Sequence, residues 1–137
     1  MGKTFEQIEV GESAFISRTI TEADIVLYAG LTGDFNPMHV DEEFAKKTSF
    51  GGRIAHGTIT LGLIAPVIGM QLPGQGCILL NISGSFYCPV KIGDTITARA
   101  TVKAKDYDKK FVTLSLSFNN QNGEQVSTGE ALVKPRT

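Results

Sequence analysis

The chain holds 137 residues, 42% of them hydrophobic and 20% charged, with a net charge of -1. That length suits one domain spanning residues 1–137, with enough apolar material to build a core without disulfide or metal staples. The near-neutral charge and the lack of any Lys or Arg run disfavour a nucleic-acid binder and a polybasic membrane anchor.

In chain order, residues 1–10 carry Lys3, Glu6 and Glu9 and no apolar run, so no secretory leader is read there. The Met-Gly start lacks the Ser or Thr that a myristoylation signal wants, because Glu6 stands in its place. Residues 13–20 read as a strand. Thr21-Glu22-Ala23-Asp24 then reads as a helix start, with Thr21 as the cap and Asp24 in the capping-box position. Ile25, Leu27, Tyr28 and Leu31 give that helix an apolar side, and Gly33 ends it. A loop is expected over 34–39, and Asp41 caps a short helix over 42–47. Phe50-Gly51-Gly52 is a turn. Residues 58–70 are apolar nearly all round, which predicts a helix buried on most sides, with Pro66 as a kink point. That stretch is too short to span a bilayer.

The remainder reads as strands. Residues 78–87 form one, interrupted by Gly84. Residues 95–105 alternate, with Ile96, Ala98, Ala100 and Val102 inward and Thr95, Thr97, Arg99 and Thr101 outward. Residues 111–118 alternate as cleanly, placing Val112, Leu114, Leu116 and Phe118 on one face. Residues 125–133 close the set. Short connections between successive strands imply an antiparallel sheet, and helices segregated to one face make the fold class α+β. Cys77 and Cys88 show no Cys-x-x-Cys spacing and read as free, mostly buried thiols of a reducing compartment, so a cytoplasmic location is expected.

There are two histidines, His39 and His56. Asp34 and His39 bracket a segment that Asn36-Pro37 turns back on itself, which lets both face one cavity. A carboxylate beside an imidazole suits proton transfer near neutral pH. The spacing fits equally well an Asx-turn, in which Asp34 caps local backbone and His39 is a surface residue. His56-Gly57 precedes the apolar helix, whose first N–H groups are unpaired and carry partial positive charge. Gly57 there either polarises a ligand carbonyl or merely turns the chain. His56 reads as a packed or hydrogen-bonded residue. No metal-ligand spacing is present, Gly74-Gln75-Gly76 lacks the third glycine of a dinucleotide fingerprint, and Ser83 and Ser85 lack a nucleophile-elbow context.

The segment Asp34-Phe35-Asn36-Pro37-Met38-His39-Val40-Asp41, followed by Phe44-Ala45 and Ile54-Ala55-His56-Gly57, resembles the hydratase motif of the MaoC-like family. Within it the likeness is to the (R)-specific enoyl-CoA hydratases, and Leu72-Pro73-Gly74-Gln75-Gly76 and residues 86–94 share it. It extends from about Phe5 to Val133. It implies a hot-dog fold, an antiparallel sheet wrapped around a central helix, and a homodimer that binds acyl-CoA near the subunit boundary. It implies Asp34 and His39 as catalytic residues, Asn36 as support, and Gly57 as the glycine whose N–H faces the thioester oxygen. Some relatives carry Ser six residues after the His of His-Gly, where it supports the aspartate; here that position is Gly62.

The mechanism this implies is syn hydration of a 2-enoyl thioester to the (R)-3-hydroxyacyl product. Asp34 takes a proton from water, His39 orients the water and supplies a proton to the α-carbon, and Gly57 stabilises the enolate-like charge. No metal or redox cofactor is required, because the thioester already acidifies the α-position. Gly62, Leu63 and Val67 are the acyl-pocket candidates. Two alternatives share the fold: an acyl-CoA thioesterase, revealed by free thiol from saturated acyl-CoA, and a non-catalytic acyl-thioester binding module. Acyl chain length, CoA against acyl-carrier protein, and physiological direction have no signature in the sequence.

Overall fold

The computed structural model describes residues 1–137. Five strands form one antiparallel sheet: β1 (Ser13–Thr19), β2 (Ile78–Phe86), β3 (Thr95–Asp106), β4 (Phe111–Asn119) and β5 (Gln125–Lys134), in the order β1-β3-β4-β5-β2. The two alternating strands behave as their pattern dictates. Ile96, Ala98, Ala100 and Val102 of β3 and Val112, Leu114, Leu116 and Phe118 of β4 are all at most 3% exposed. Their register sets small against large, Ala98 opposite Phe118 and Ala100 opposite Leu116. The alanines keep the middle of β3 low, and the helix packed on the sheet lies against that strand.

The helices are α1 (Glu22–Thr32), α2 (Pro37–Val40), α3 (Glu42–Ala45), α4 (Gly57–Gly62) and α5 (Ala65–Met70). The central helix is α4 and α5, joined by a tighter step at Leu63 and Ile64, where Ile64 N–H bonds to Leu61 O. Pro66 has no N–H for the Gly62 carbonyl and crowds it, so the regular ladder breaks there. The expectation of a helix buried on most sides is corrected: Ile64, Val67 and Ile68 are buried, while Gly57, Thr58, Gly62, Ala65 and Met70 are exposed. One stripe suffices to close the core, which leaves the opposite stripe uncovered. No helix is long and apolar enough to cross a membrane.

Helix α1 starts and stops where its cap chemistry requires. Thr21 Oγ1 accepts from Asp24 N–H, and the Asp24 carboxylate accepts from Thr21 N–H at 2.8 Å. That bond, aided by Arg18, holds the Asp24 carboxyl below its ordinary range. Gly33 closes the helix at φ 81°, a left-handed conformation that favours glycine. The expected apolar side is corrected in part. Ile25 and Ala29 enter the core, but Leu27 and Leu31 are 72% and 83% exposed. They lie one helical turn apart on a stripe that faces away from the sheet and lines an open groove. Cys77 and Cys88 are free and partly buried; burial pushes the Cys77 thiol up, and it donates to Ile68 O.

Candidate active site

The segment after α1 was expected as a loop, and it contains a helical turn instead. Asn36 accepts from Met38 N–H through Oδ1, Pro37 occupies the first turn, and His39 rides on α2. Four residues carry no periodicity to read, but Asn followed by Pro is a helix start. Asp34 also makes the Asx-turn: its Oδ1 accepts from Asn36 N–H at 3.1 Å. The Asx-turn reading of Asp34 is thus met, and it leaves the carboxylate available, since one lone pair is spent on the turn and the others remain. Asp34, His39 and His56 each place one polar atom within 4.8 Å of the others.

In its neutral form His39 has one tautomer. Its Nδ1 lies 2.7 Å from Ile54 O, and a carbonyl only accepts, so Nδ1 carries the proton and Nε2 is left to face the site. His56 is buried and its Nε2–H donates to the main-chain carbonyl of Asp34 at 3.0 Å. The two imidazoles stack, with centroids 3.9 Å apart and planes 26° apart. Tyr28 sets its ring edge-on against His56 at 4.9 Å and donates its hydroxyl to Thr58.

A single stretch, residues 53–57, carries most of these supports. Arg53 bridges Glu22 at the start of α1 and Glu42 at the start of α3, clamping both ends of the segment between them. Ile54 donates to Met38 O and accepts from His39. Ala55 N–H donates to Val90 O at 2.7 Å, tying the stretch toward the sheet side. Main-chain acceptors such as Ile54 O have no residue-type signature, so sequence reasoning missed them. The Arg53 bridge was legible only in its charges.

His39 and Gly57 line one cavity of about 290 Å³ together with Ile54, Thr60, Phe86 and Tyr87. Gly57 is the first residue of α4, and its N–H has no intrahelical partner. A Cβ there would sit 3.2 to 3.5 Å from the Phe86 ring, so glycine keeps this wall open. Gly62 and Leu63 line a second groove, of about 340 Å³, with Leu27, Tyr28, Leu31 and Ile59. Val67, the third acyl-pocket candidate, is fully buried in the core and lines neither space. Asp34, His39 and His56 have the spacing to meet a cation. However, one nitrogen of each ring is committed to a carbonyl, and rings stacked face to face do not converge their in-plane lone pairs on one point.

His56 Nδ1 and Thr60 Oγ1 are the buried side-chain polar atoms that find no partner. Such an atom costs about 1–3 kcal/mol. Thr60→Val removes the hydroxyl and keeps the branched shape, so it should raise unfolding free energy by about 1 kcal/mol in urea titration. A drop of similar size would show that the hydroxyl is hydrogen-bonded after all.

Comparison with known proteins adds to this geometry. The family model described as "MaoC like domain" matches residues 6–122. The chain is 48% identical over 129 residues to an (R)-specific enoyl-CoA hydratase of Rhodospirillum rubrum, covering 94% of this chain and 89% of that one. The solved (R)-hydratase of Aeromonas caviae, described as involved in PHA biosynthesis, superposes with a TM-score of 0.91 at 41% identity over 94% of this chain and 98% of its own. An R-hydratase from Pseudomonas aeruginosa gives 0.93 at 37% identity over 98% of this chain and 86% of its own. With its five-stranded sheet around a central helix and a family match over most of its length, the chain belongs to the MaoC-like family of hot-dog proteins.

Proposed function

We infer that the protein is an (R)-specific 2-enoyl-CoA hydratase, a hydro-lyase that also runs as the 3-hydroxyacyl-CoA dehydratase. The observation that carries this reading is a tautomer-fixed His39 beside the Asp34 carboxylate, in a chain 48% identical to a hydratase of that name. A water about 2.8 Å from each group can bridge the two, since Asp34 and His39 bring polar side-chain atoms within 4.8 Å of one another. The Asp34 carboxylate removes a proton as the water oxygen bonds to the β-carbon. The electron pair of the double bond moves toward the thioester carbonyl, whose oxygen is met by the Gly57 N–H. His39 enters the step as the imidazolium, its Nδ1–H held by Ile54 O, and gives the Nε2 proton to the α-carbon. Asp34 ends protonated and His39 neutral, and one proton passing from Asp34 to Nε2 resets the pair. OH and H add to the same side of the double bond; the face that water attacks sets the configuration, and the (R) outcome is carried by the likeness to the (R)-specific hydratases. Asn36 supports the site by capping the turn that carries His39.

The thioester end occupies the cavity beside His39 and Gly57, and the acyl chain runs along the groove at Leu27, Leu31, Gly62 and Leu63. A Cβ on Gly62 would meet nothing within 4 Å, so a larger residue fits and fills the groove. Gly62→Leu should therefore slow longer enoyl-CoAs more than crotonyl-CoA. Equal slowing across chain lengths would place the acyl chain elsewhere.

The working unit is a homodimer joined along β2. This strand pairs with β5 alone and all nine of its residues are exposed. Ile78, Leu79, Leu80, Ile82 and Phe86 leave it more apolar than a free sheet edge tolerates. Beside it, Leu61, Ile64 and Ile68 line a hollow of about 400 Å³ with Leu79 and Ile82. Sedimentation at micromolar concentration should give twice the chain mass, and Ile82→Lys should shift it toward one chain. A wild-type monomer would overturn the dimer. As with the Aeromonas caviae hydratase, an (R)-3-hydroxyacyl product suits supply of PHA precursors, testable by polymer accumulation on co-expression with a PHA synthase.

The decisive assay is loss of enoyl absorbance when crotonyl-CoA is added, with chiral analysis of the product. Release of free thiol from saturated acyl-CoA with no hydration would instead make the protein a thioesterase. Tight binding with neither reaction would make it an acyl-thioester binding module.

A further inference from the structure

His56 is an unusual occupant of its place. It is 2% exposed in a core that is otherwise almost wholly aliphatic. It stands at the N-cap of α4 but makes no side-chain cap bond. Its Nδ1 is buried without a partner, which costs stability that an aliphatic residue of similar size would not lose. What the ring does make is contact with the main chain of Asp34 and with the ring of His39.

We propose that His56 is a positioning residue for both Asp34 and His39, an inference that rests on the hydratase reading above. Its Nε2–H grips the Asp34 carbonyl, which fixes the main chain from which the carboxylate swings. Its face lies against the His39 ring. The Nδ1–H bond to Ile54 O fixes one point of the His39 ring and leaves it free to rock about that point. A flat neighbour at 3.9 Å removes the rocking and sets the direction of Nε2. His56 is itself immobilised. Tyr28 meets it edge-on, and the chain on either side is held by Ala55 N–H to Val90 O and by the first turn of α4. The two catalytic groups, five residues apart in the chain, are thus referred to one ring anchored elsewhere in the fold.

A residue that only fills space loses stability when replaced, and any effect on turnover follows the fraction of folded protein. A positioning residue loses kcat while the substrate still binds, because misplacing a reacting group by about 1 Å can cost on the order of 100-fold. Three variants separate the contacts. His56→Ala removes both, His56→Gln keeps a donor toward the Asp34 carbonyl, and His56→Phe keeps a flat face toward His39.

The experiment measures kcat and KM for crotonyl-CoA hydration in the full chain, with circular dichroism and thermal melting of each variant. We expect His56→Ala to lose about 100-fold in kcat with KM within about threefold of wild type. His56→Gln and His56→Phe, each restoring one contact, should lose about tenfold. The inference is overturned if His56→Ala keeps kcat within threefold, if its loss lies in KM, or if neither Gln nor Phe exceeds Ala in turnover per folded molecule. Should His56→Ala fail to fold, the Gln and Phe variants decide: wild-type kcat in both overturns the inference. Absence of hydration by the wild-type protein would instead sink the hydratase reading itself, so the two failures are distinguishable.

Discussion

Asp34→Asn should lower kcat for crotonyl-CoA hydration by about 100- to 10,000-fold while the protein folds as before. That range corresponds to about 2.7–5.4 kcal/mol of lost transition-state stabilisation. The substitution is informative because of the turn that Asp34 makes. Asn keeps an Oδ1 that can accept from Asn36 N–H, so the local geometry at 3.1 Å survives. What disappears is the carboxylate oxygen proposed as the base. The main-chain carbonyl of Asp34, which accepts from His56, is untouched. Asp34→Ala would remove base and turn together and could not tell them apart. Retention of more than a tenth of the wild-type kcat in Asp34→Asn would rule out Asp34 as the general base.

His39→Ala should cost a similar factor, and His39→Asn shows why. An asparagine amide at this position can offer a donor to Ile54 O where Nδ1–H stood, so the link to residues 53–57 persists. No atom then reaches the place of Nε2, so the water loses its second contact and the α-carbon its proton donor. Both variants should therefore fall together in kcat, with His39→Asn the more stable to heat. If His39→Asn were active and His39→Ala were not, the ring would be acting only through its bond to Ile54, and the role of Nε2 would be refuted. In the proposed mechanism Asp34 and His39 act on one water, so the double variant should lose little more than either single one.

The sheet and the caps were legible for definite reasons. Strands β3 and β4 bury one face and leave the other more open, so a period of two is written into their residues, and the register follows once one face must be apolar. Helix α1 is bounded by Thr21 and Asp24 at one end and Gly33 at the other, whose bonding or backbone conformation is local and so readable locally. Where the pattern served two surfaces it misled. The apolar residues of α1 divide between core and groove, and those of the central helix divide between core and an uncovered face. Apolar character alone does not say which surface a residue joins.

The candidate site divides in the same way. By itself the sequence determined the residue types, Asp34, His39 and the Gly57 that opens a helix, and the turn that brings the first two near each other. These follow from side-chain chemistry and from the Asn36-Pro37 step, which act over a few residues. Only the tertiary structure decided which His39 nitrogen is free, because that depends on a carbonyl fifteen residues away. It also decided that His56 underlies the pair, and that Val67 belongs to the core while Gly62 borders open space. The physical reason is range. Caps and turns are settled by neighbours along the chain, whereas tautomer, ring stacking and exposure are settled by groups that only the folded sheet and helices bring together.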